Sequence, residues 1–381
     1  MKRYCEPYIY SDLQKKMVFV GGPRQVGKTT VARAILEKIP GEYLNWDRDQ
    51  DRKAIQKAQW LERDRLIVFD EIHKNPKWKQ WIKGVYDTKP VHQNYLVTGS
   101  ARLDVYKKGG DSLLGRYHYW RLHPLTLDEF PEGMEREEGY RRLLTLGGFP
   151  EPFLSGDLRE AKRWRRERFD RIIREDIRDL EQVRSTEMVR LFANALRSRV
   201  GGMITLSNLA VDLQISPKTA KEWLVLIENM YIAFAVYPFT TSLPRAIQKP
   251  PKVFFFDNAD TEENEGMRLE NLVATTLLKR LHFMEDYYGV TASLHYLRDK
   301  DGREVDFVTV IDGKIFELLE VKTSDSQISS ALRYYTKLLQ PQKSVQLVGN
   351  LTRPYDDNGI SVRNPMDYFA KGPWDEVEVK V

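Results

Sequence analysis

The sequence predicts an α/β chain of several domains, led by a parallel sheet with helices on both faces. Three observations carry that expectation. An apolar run, Met17 to Val20, leads into a glycine-rich turn and then the helix-prone stretch Val31 to Lys38. A second run, Leu66-Ile67-Val68-Phe69, ends in the acids Asp70 and Glu71. A third, Tyr95-Leu96-Val97-Thr98, ends at Gly99-Ser100. Strands buried on both faces are continuously apolar, and helical stretches between them mark a parallel sheet.

The turn fits G-x-x-x-x-G-K-[ST] from Gly22 onward. Gly22, Pro23, Arg24, Gln25, Val26 and Gly27 form a tight loop that aims backbone N–H groups at a phosphate, and the helix N-terminus adds partial positive charge. Lys28 is expected to reach the β- and γ-phosphates, Thr29 to hold Mg²⁺, and Thr30 to close the phosphate-binding run. Asp70 then shares the Mg²⁺ shell, while Glu71 orients or deprotonates the attacking water. At the tip of the third strand, Thr98 or Ser100 stands as a γ-phosphate sensor, or merely ends the strand.

The box Asp70-Glu71-Ile72-His73, Thr98-Gly99-Ser100, Leu113-Leu114-Gly115-Arg116 and the stretch Pro124-Leu125 to Glu129-Phe130 add to the P-loop. Together they resemble the prokaryotic AAA-type (AAA+) ATPases, over essentially the whole chain. That resemblance implies ATP and Mg²⁺ as cofactors, hydrolysis as the reaction, and a homo-oligomeric ring, commonly a hexamer. It makes Arg116 a finger acting on a neighbouring subunit's γ-phosphate, where a guanidinium offsets developing charge. The turn Gly147-Gly148-Phe149-Pro150 matches the glycine–proline lid motif of related signal-transducing ATPases; locally it is a Pro/Gly turn.

Composition bounds the rest. The 381 residues suffice for two or three domains, and 41% hydrophobic with 30% charged residues is a globular balance. No apolar run approaches the roughly 20 residues of a membrane span. The start, Met1 to Glu6, lacks a signal-peptide core, and the lone Cys5 excludes disulfides and a cysteine zinc site. A cytoplasmic protein with no membrane partner is expected. The net charge of +5 is a mild tilt toward anions. Locally, Arg159 to Arg178 concentrates Lys162, Arg163, Arg165, Arg166, Arg168, Arg171 and Arg174, either to track phosphates or as a solvated face with i,i+4 pairs.

Past the ATPase core (1–130) and a helical lid and connector (131–185), residues 186–258 predict a winged helix. Glu187 to Val200, Thr205 to Leu213 and Lys218 to Met230 are helical, and strands at Tyr231 to Tyr237 and Lys252 to Phe256 flank a wing. In such folds the second helix of the turn reads DNA by its first residues. Here those are Ser216, Lys218, Thr219 and Lys221, with Arg245 and Lys249 on the wing. A protein-contact role for the same module stays open.

Residues 259–381 place Glu270 on a helix, Asp306 on a strand, and Glu320-x-Lys322 one hairpin later. This resembles the PD-(D/E)xK superfamily, the restriction-endonuclease-like α/β fold. The resemblance implies Mg²⁺ held by Asp306, Glu320 and Glu270, with Lys322 positioning water or stabilising charge. Acids flanked by Val305, Phe307, Leu319 and Val321 are costly to bury unpaired, so some cation is implied. Two functions therefore stand: an ATPase that binds and remodels or translocates on DNA, and a nucleotide-switched scaffold with an inert nuclease-like domain.

Overall fold

The computed structural model describes residues 1–99, 113–177, 186–240, 249–262, 264–325 and 327–376. The chain divides into two compact units, Met1–His123 with Trp374–Val381, and Pro124–Pro373. Where the sequence suggests a first boundary at 130, the division falls at 123/124.

The first unit is built from α1 (Glu6–Leu13), β1 (Met17–Gly21), α2 (Lys28–Leu36), β2 (Gly41–Asn45), α3 (Asp49–Lys57), β3 (Leu66–Asp70), α4 (Trp78–Asp87), β4 (Asn94–Thr98) and β5 (Tyr117–Arg121). Its five strands lie in the order β2-β3-β4-β1-β5, and every pairing is parallel. The central strands β1 and β3 are buried along their whole length, which explains their unbroken apolar runs. Register levels the strand tips: Val20 and Asp70 both pair with Thr98. The phosphate loop, Asp70 and Thr98 thereby share one sheet edge. Gly22 leaves β1 at φ +136, and a Cβ there would lie 2.3 Å from the Leu122 carbonyl oxygen. Only glycine fits that approach.

The second unit begins with α5 (Arg136–Thr145), α6 (Pro150–Ser155) and α7 (Leu158–Arg171). Asp157 caps α7 by accepting from Glu160 N at 2.8 Å. Next come α8 (Thr186–Arg197), α9 (Leu206–Asp212) and α10 (Pro217–Asn229), the last opened by a Ser216 cap and Pro217. Strands β6 (Ala233–Pro238) and β7 (Lys252–Phe255), helix α11 (Glu265–Phe283), and strands β8 (Ala292–Arg298), β9 (Glu304–Ile311) and β10 (Lys314–Lys322) follow. The unit closes with α12 (Ser330–Leu339), β11 (Lys343–Val348), β12 (Tyr355–Asp357), β13 (Ile360–Arg363) and α13 (Pro365–Tyr368).

Sequence reasoning separates a winged helix from the C-terminal region at 258/259. The structure instead runs one mixed sheet through both, β12-β13-β11-β10-β9-β8-β6-β7. Strands β6 and β7 pair antiparallel as a wing hairpin would, but β6 also pairs parallel with β8 through Tyr237↔His295 and Pro238↔Tyr296. Strand propensity is local and the pairing partner is not, so this junction carries no local signal.

The Gly147-Gly148-Phe149-Pro150 turn has its described partners within the second unit. Leu125 N donates to Gly148 O at 2.7 Å, and the buried Arg168 guanidinium lies 3.9 Å from the Phe149 ring centre. The Thr126–Glu129 segment is fixed by a buried ammonium: Lys279, fully enclosed on α11, donates to Thr126 Oγ1 (3.1 Å), Asp128 Oδ1 (3.1 Å) and Glu129 Oε2 (2.7 Å). Removing one partner of such a group strands buried charge. Lys279→Met should therefore cost about 3–5 kcal/mol of stability in urea denaturation at neutral pH; a loss below about 1 kcal/mol would show that the carboxylates find water instead.

Candidate functional site

The nucleotide site is organised around one carboxylate. Asp70, at the end of β3, accepts from Thr98 Oγ1 at 2.6 Å, from Thr29 Oγ1 at 3.1 Å and from the Tyr43 hydroxyl. Burial and the bond to Asp70 push the Tyr43 phenol up to about 12, so it stays a donor. Lys28 turns its ammonium back onto Gly22 O (3.0 Å) and Pro23 O (2.6 Å), over the loop where a phosphate anion belongs. A hydroxyl and a carboxylate within hydrogen-bond distance are the hard oxygen donors that Mg²⁺ takes, so the residues present fit the expected metal. Gly27 caps α2; Pro23 and Val26 are buried, Arg24 is partly covered, and Gln25 and Thr30 face solvent.

Glu71 follows Asp70 with φ +58, a conformation that non-glycine residues hold mainly where surroundings enforce it. Its N–H donates to Thr98 O at 3.0 Å, and its Oε2 lies 3.5 Å from both His73 Nε2 and Lys74 Nζ. Burial raises the Glu71 carboxyl above its ordinary value, against the pull of Lys74. A raised carboxylate is a better proton acceptor. Arg116 lies on the surface, where Nε and Nη2 donate to Asp87 at 2.7 and 3.0 Å. Ser100 lies outside the described residues.

Two residues of this site escaped sequence reasoning. Arg3 is buried and donates to Val26 O (2.8 Å) and His123 O (2.6 Å), bracing the phosphate loop from the N-terminal segment. Tyr43 belongs to β2, five residues that look like any edge strand. Neither lies in a motif.

The C-terminal acids meet differently from the expected metal site. Lys252, the first residue of β7 and 2% exposed, places its ammonium 2.7 Å from Glu304 Oε1, 3.3 Å from Glu270 Oε1 and 3.4 Å from Asp306 Oδ1. Asp306 Oδ2 accepts from Val321 N at 2.9 Å. Burial lowers the lysine's pKa, but Glu270, Asp306 and Glu304 outweigh it and hold the group charged. The cation implied by buried acids is thus a side chain. Glu320 pairs with Lys322 at 2.7 Å, and its buried Oε2 has no hydrogen-bond partner. Among the described residues no three His, Cys, Asp or Glu side chains form a metal-ready group. The Lys252 ammonium thus stands against Glu270 and Asp306, two of the three carboxylates at which the nuclease resemblance implies Mg²⁺. The sequence did hold a signal: Lys252 opens the apolar run Val253 to Phe256, an unusual place for a lysine.

Gly201, at φ +73, brings its backbone against the same cluster. A Cβ there would lie 2.4 Å from Glu270 Oε2. Of the expected DNA contacts, Ser216 caps α10 through Thr219 N at 3.0 Å, while Lys218 and Lys221 are exposed, with Glu222 4.0 Å from Lys218. Lys249 is exposed, and Arg245 lies outside the described residues.

Comparison with known proteins finds family models that match three successive segments of the chain. Residues 14–131 match the AAA domain family; 137–259 and 265–365 match two domains of unknown function (DUF8612 and DUF4143). Uncharacterised proteins of Mycobacterium tuberculosis (Rv2008c) and Mycobacterium bovis (Mb2031c) are each 22% identical over 83% of this chain and 73% of their own length. Among solved structures, the Thermotoga maritima RuvB Holliday junction branch migration motor aligns with 64% of this chain and 92% of its own, at 16% identity and TM-score 0.29. The Pyrococcus horikoshii STAND protein PH0952 aligns at 14% identity and TM-score 0.28, over 76% of this chain and 48% of its own. Bacteroides Pif1 bound to single-stranded DNA gives 15% and 0.21, over 37% of this chain; the chain spans only 45% of that protein. Scores this low carry no argument. Among the described residues no helix is long and apolar enough to cross a membrane. The α/β fold, its parallel sheet and the matched segment give the first unit a resemblance to an AAA-type ATPase core.

Glu270 and Glu320 are both raised to about 7, in each case first by burial and then by Asp306. The fold keeps protons that the unfolded chain releases near 4.5. Their contribution is present below that value and is lost as pH rises through about 7. The urea midpoint should therefore fall between about pH 5 and pH 8, and Glu320→Gln should flatten part of the decline. An unchanged slope in that variant would mean Glu320 is ionised in the fold.

Proposed function

We propose that this protein is a Mg²⁺-dependent ATP hydrolase of the AAA class whose second unit binds DNA and, driven by hydrolysis, remodels or translocates on it without cutting it. The hydrolase reading rests on Asp70, held by the hydroxyls of Thr29 and Thr98 with Glu71 beside it. In this reading the loop Gly22–Thr30 and Lys28 bind the triphosphate, and Thr29 and Asp70 hold the metal. Bound Mg²⁺ supplies charge neutralisation on the β- and γ-phosphates. Glu71 orients the attacking water and accepts its proton. Arg116 is proposed to act on a neighbouring copy's nucleotide, which requires a homo-oligomer.

The DNA reading is supported by the capped start of α10, where Lys218 and Lys221 are exposed as a recognition helix needs. The closure of the acid cluster by Lys252 favours a domain that binds without cleaving. A second reading, a nucleotide-switched scaffold, is favoured by one observation. Leu191 on α8, Val211 on α9 and Val225 on α10 are 50%, 77% and 42% exposed, as at a protein-contact face.

Steady-state ATPase assays with single-stranded, duplex, forked and junction DNA separate the two, with Lys28→Ala as blank. Stimulation by one DNA form is the expected result, and indifference to all of them supports the scaffold. Glu71→Gln should bind ATP yet lose turnover by about 10²-fold or more; persistent turnover would remove Glu71 as the base. Lys218→Glu with Lys221→Glu should abolish DNA affinity while ATP binding stays unchanged, and retained affinity would unseat α10 as the recognition helix.

A further inference from the structure

The charge-rich helix α7 does not resolve as a face laced by its own ion pairs. Its basic residues divide by exposure. Arg168 is buried against Phe149 and Asp260, and Arg165 donates to Leu146 O at 3.1 Å. Arg159, Lys162, Arg163 and Arg166 are exposed. Among the described residues, no ion pair or hydrogen bond engages the guanidinium of Arg159, Arg163 or Arg166. The i,i+4 partner Glu167 is available to Arg163 and unused. The spacing i, i+4, i+7 sets these three arginines on one side of the helix. They line an open groove of about 830 Å³ with Leu158, Lys162, Glu167 and Asp170. Asp170 is already paired with Arg190, which leaves Glu167 as the opposing charge.

We infer that this stripe is a binding surface for the phosphate backbone of DNA, an inference that rests on the DNA reading above and adds a contact site distinct from α10. Seven helical steps separate Arg159 from Arg166, about 10 Å along the axis. Each strand of a duplex offers one phosphate per roughly 3.4 Å of axis, so about three phosphates fall within that span. Guanidinium groups present planar donor forks that match phosphate oxygens, and arginines on a capped, rigid helix keep a fixed spacing. The groove adjoins a second cavity of about 430 Å³ that shares Lys162, Arg166 and Asp170 and adds Arg165, Arg190 and Arg197. There Arg197 is paired with Asp260 and Arg190 with Asp170, while Arg165 donates to the Leu146 carbonyl, so the cavity extends the groove mainly through arginines already engaged. The surface reads no sequence; it fixes DNA against the unit by charge.

The test is fluorescence anisotropy of a labelled duplex with the full chain across a salt series, comparing wild type with Arg159→Gln/Arg163→Gln/Arg166→Gln. Affinity at physiological salt should drop about tenfold or more, and the slope of log K against log salt should shrink in magnitude by about 2–3. The matching lysine triple should keep most of that slope. ATP binding should be unchanged in both. If the glutamine triple binds like wild type while Lys218→Glu/Lys221→Glu does not bind, the stripe is wrong and the DNA reading stands. If wild type binds no DNA, the DNA reading falls and the stripe with it. If polyglutamate displaces the duplex as well as unlabelled DNA does, the surface selects negative charge on a protein rather than phosphate, and the inference is overturned.

Discussion

The acid cluster of the second unit depends on a single ammonium. Lys252 on β7 joins Glu270 on α11 to Glu304 and Asp306 on β9, so one side chain ties three elements that the sequence spreads over more than fifty residues. Taking charges out of water costs several kcal/mol per ion, and only close pairing offsets it. Three carboxylates around one lysine leave a net negative centre. The fold meets the excess by protonation, which is why burial and Asp306 hold Glu270 up near neutrality. Arg298 further compensates Glu304 at 2.6 Å, and Gly201 clears the space that Glu270 fills.

The two units thus arrange carboxylates in opposite ways. In the first, neutral hydroxyls of Thr29, Thr98 and Tyr43 donate to Asp70, a set of oxygen groups suited to a divalent ion. In the second, the charge is met internally. Carboxylates therefore meet hydroxyl donors in one place and a lysine side chain in the other. What separates them is the identity of the nearest donor.

The first unit was legible because its constraints are local. A phosphate loop needs glycine at Gly22 and a lysine at the helix start, and a buried parallel strand needs unbroken apolar residues before Asp70. These requirements are written in consecutive residues. The loop, the Asp70–Glu71 pair and the parallel sheet all followed from them. Arg3 and Tyr43 did not, because each reaches the site across the fold from a segment with no motif. In the second unit the hairpin of β6 and β7 was legible as strands, but its union with β8 was not, since pairing partners are set by tertiary packing. Asp306, Glu320 and Lys322 were correctly placed on strands. The ammonium beside Asp306 was not legible, because Lys252 stands 54 positions away and no spacing rule connects them.

The most direct measurement is a titration of Mn²⁺ into the full chain carrying Asp70→Ala, which removes the carboxylate proposed to hold the first unit's metal, followed by calorimetry or the paramagnetic resonance of free Mn²⁺. With Lys252 seated among Glu270, Glu304 and Asp306, no saturable binding that depends on Asp306 is expected. Saturable binding that disappears in the further variant Asp306→Ala would contradict the lysine-closed cluster and restore a metal to the C-terminal site.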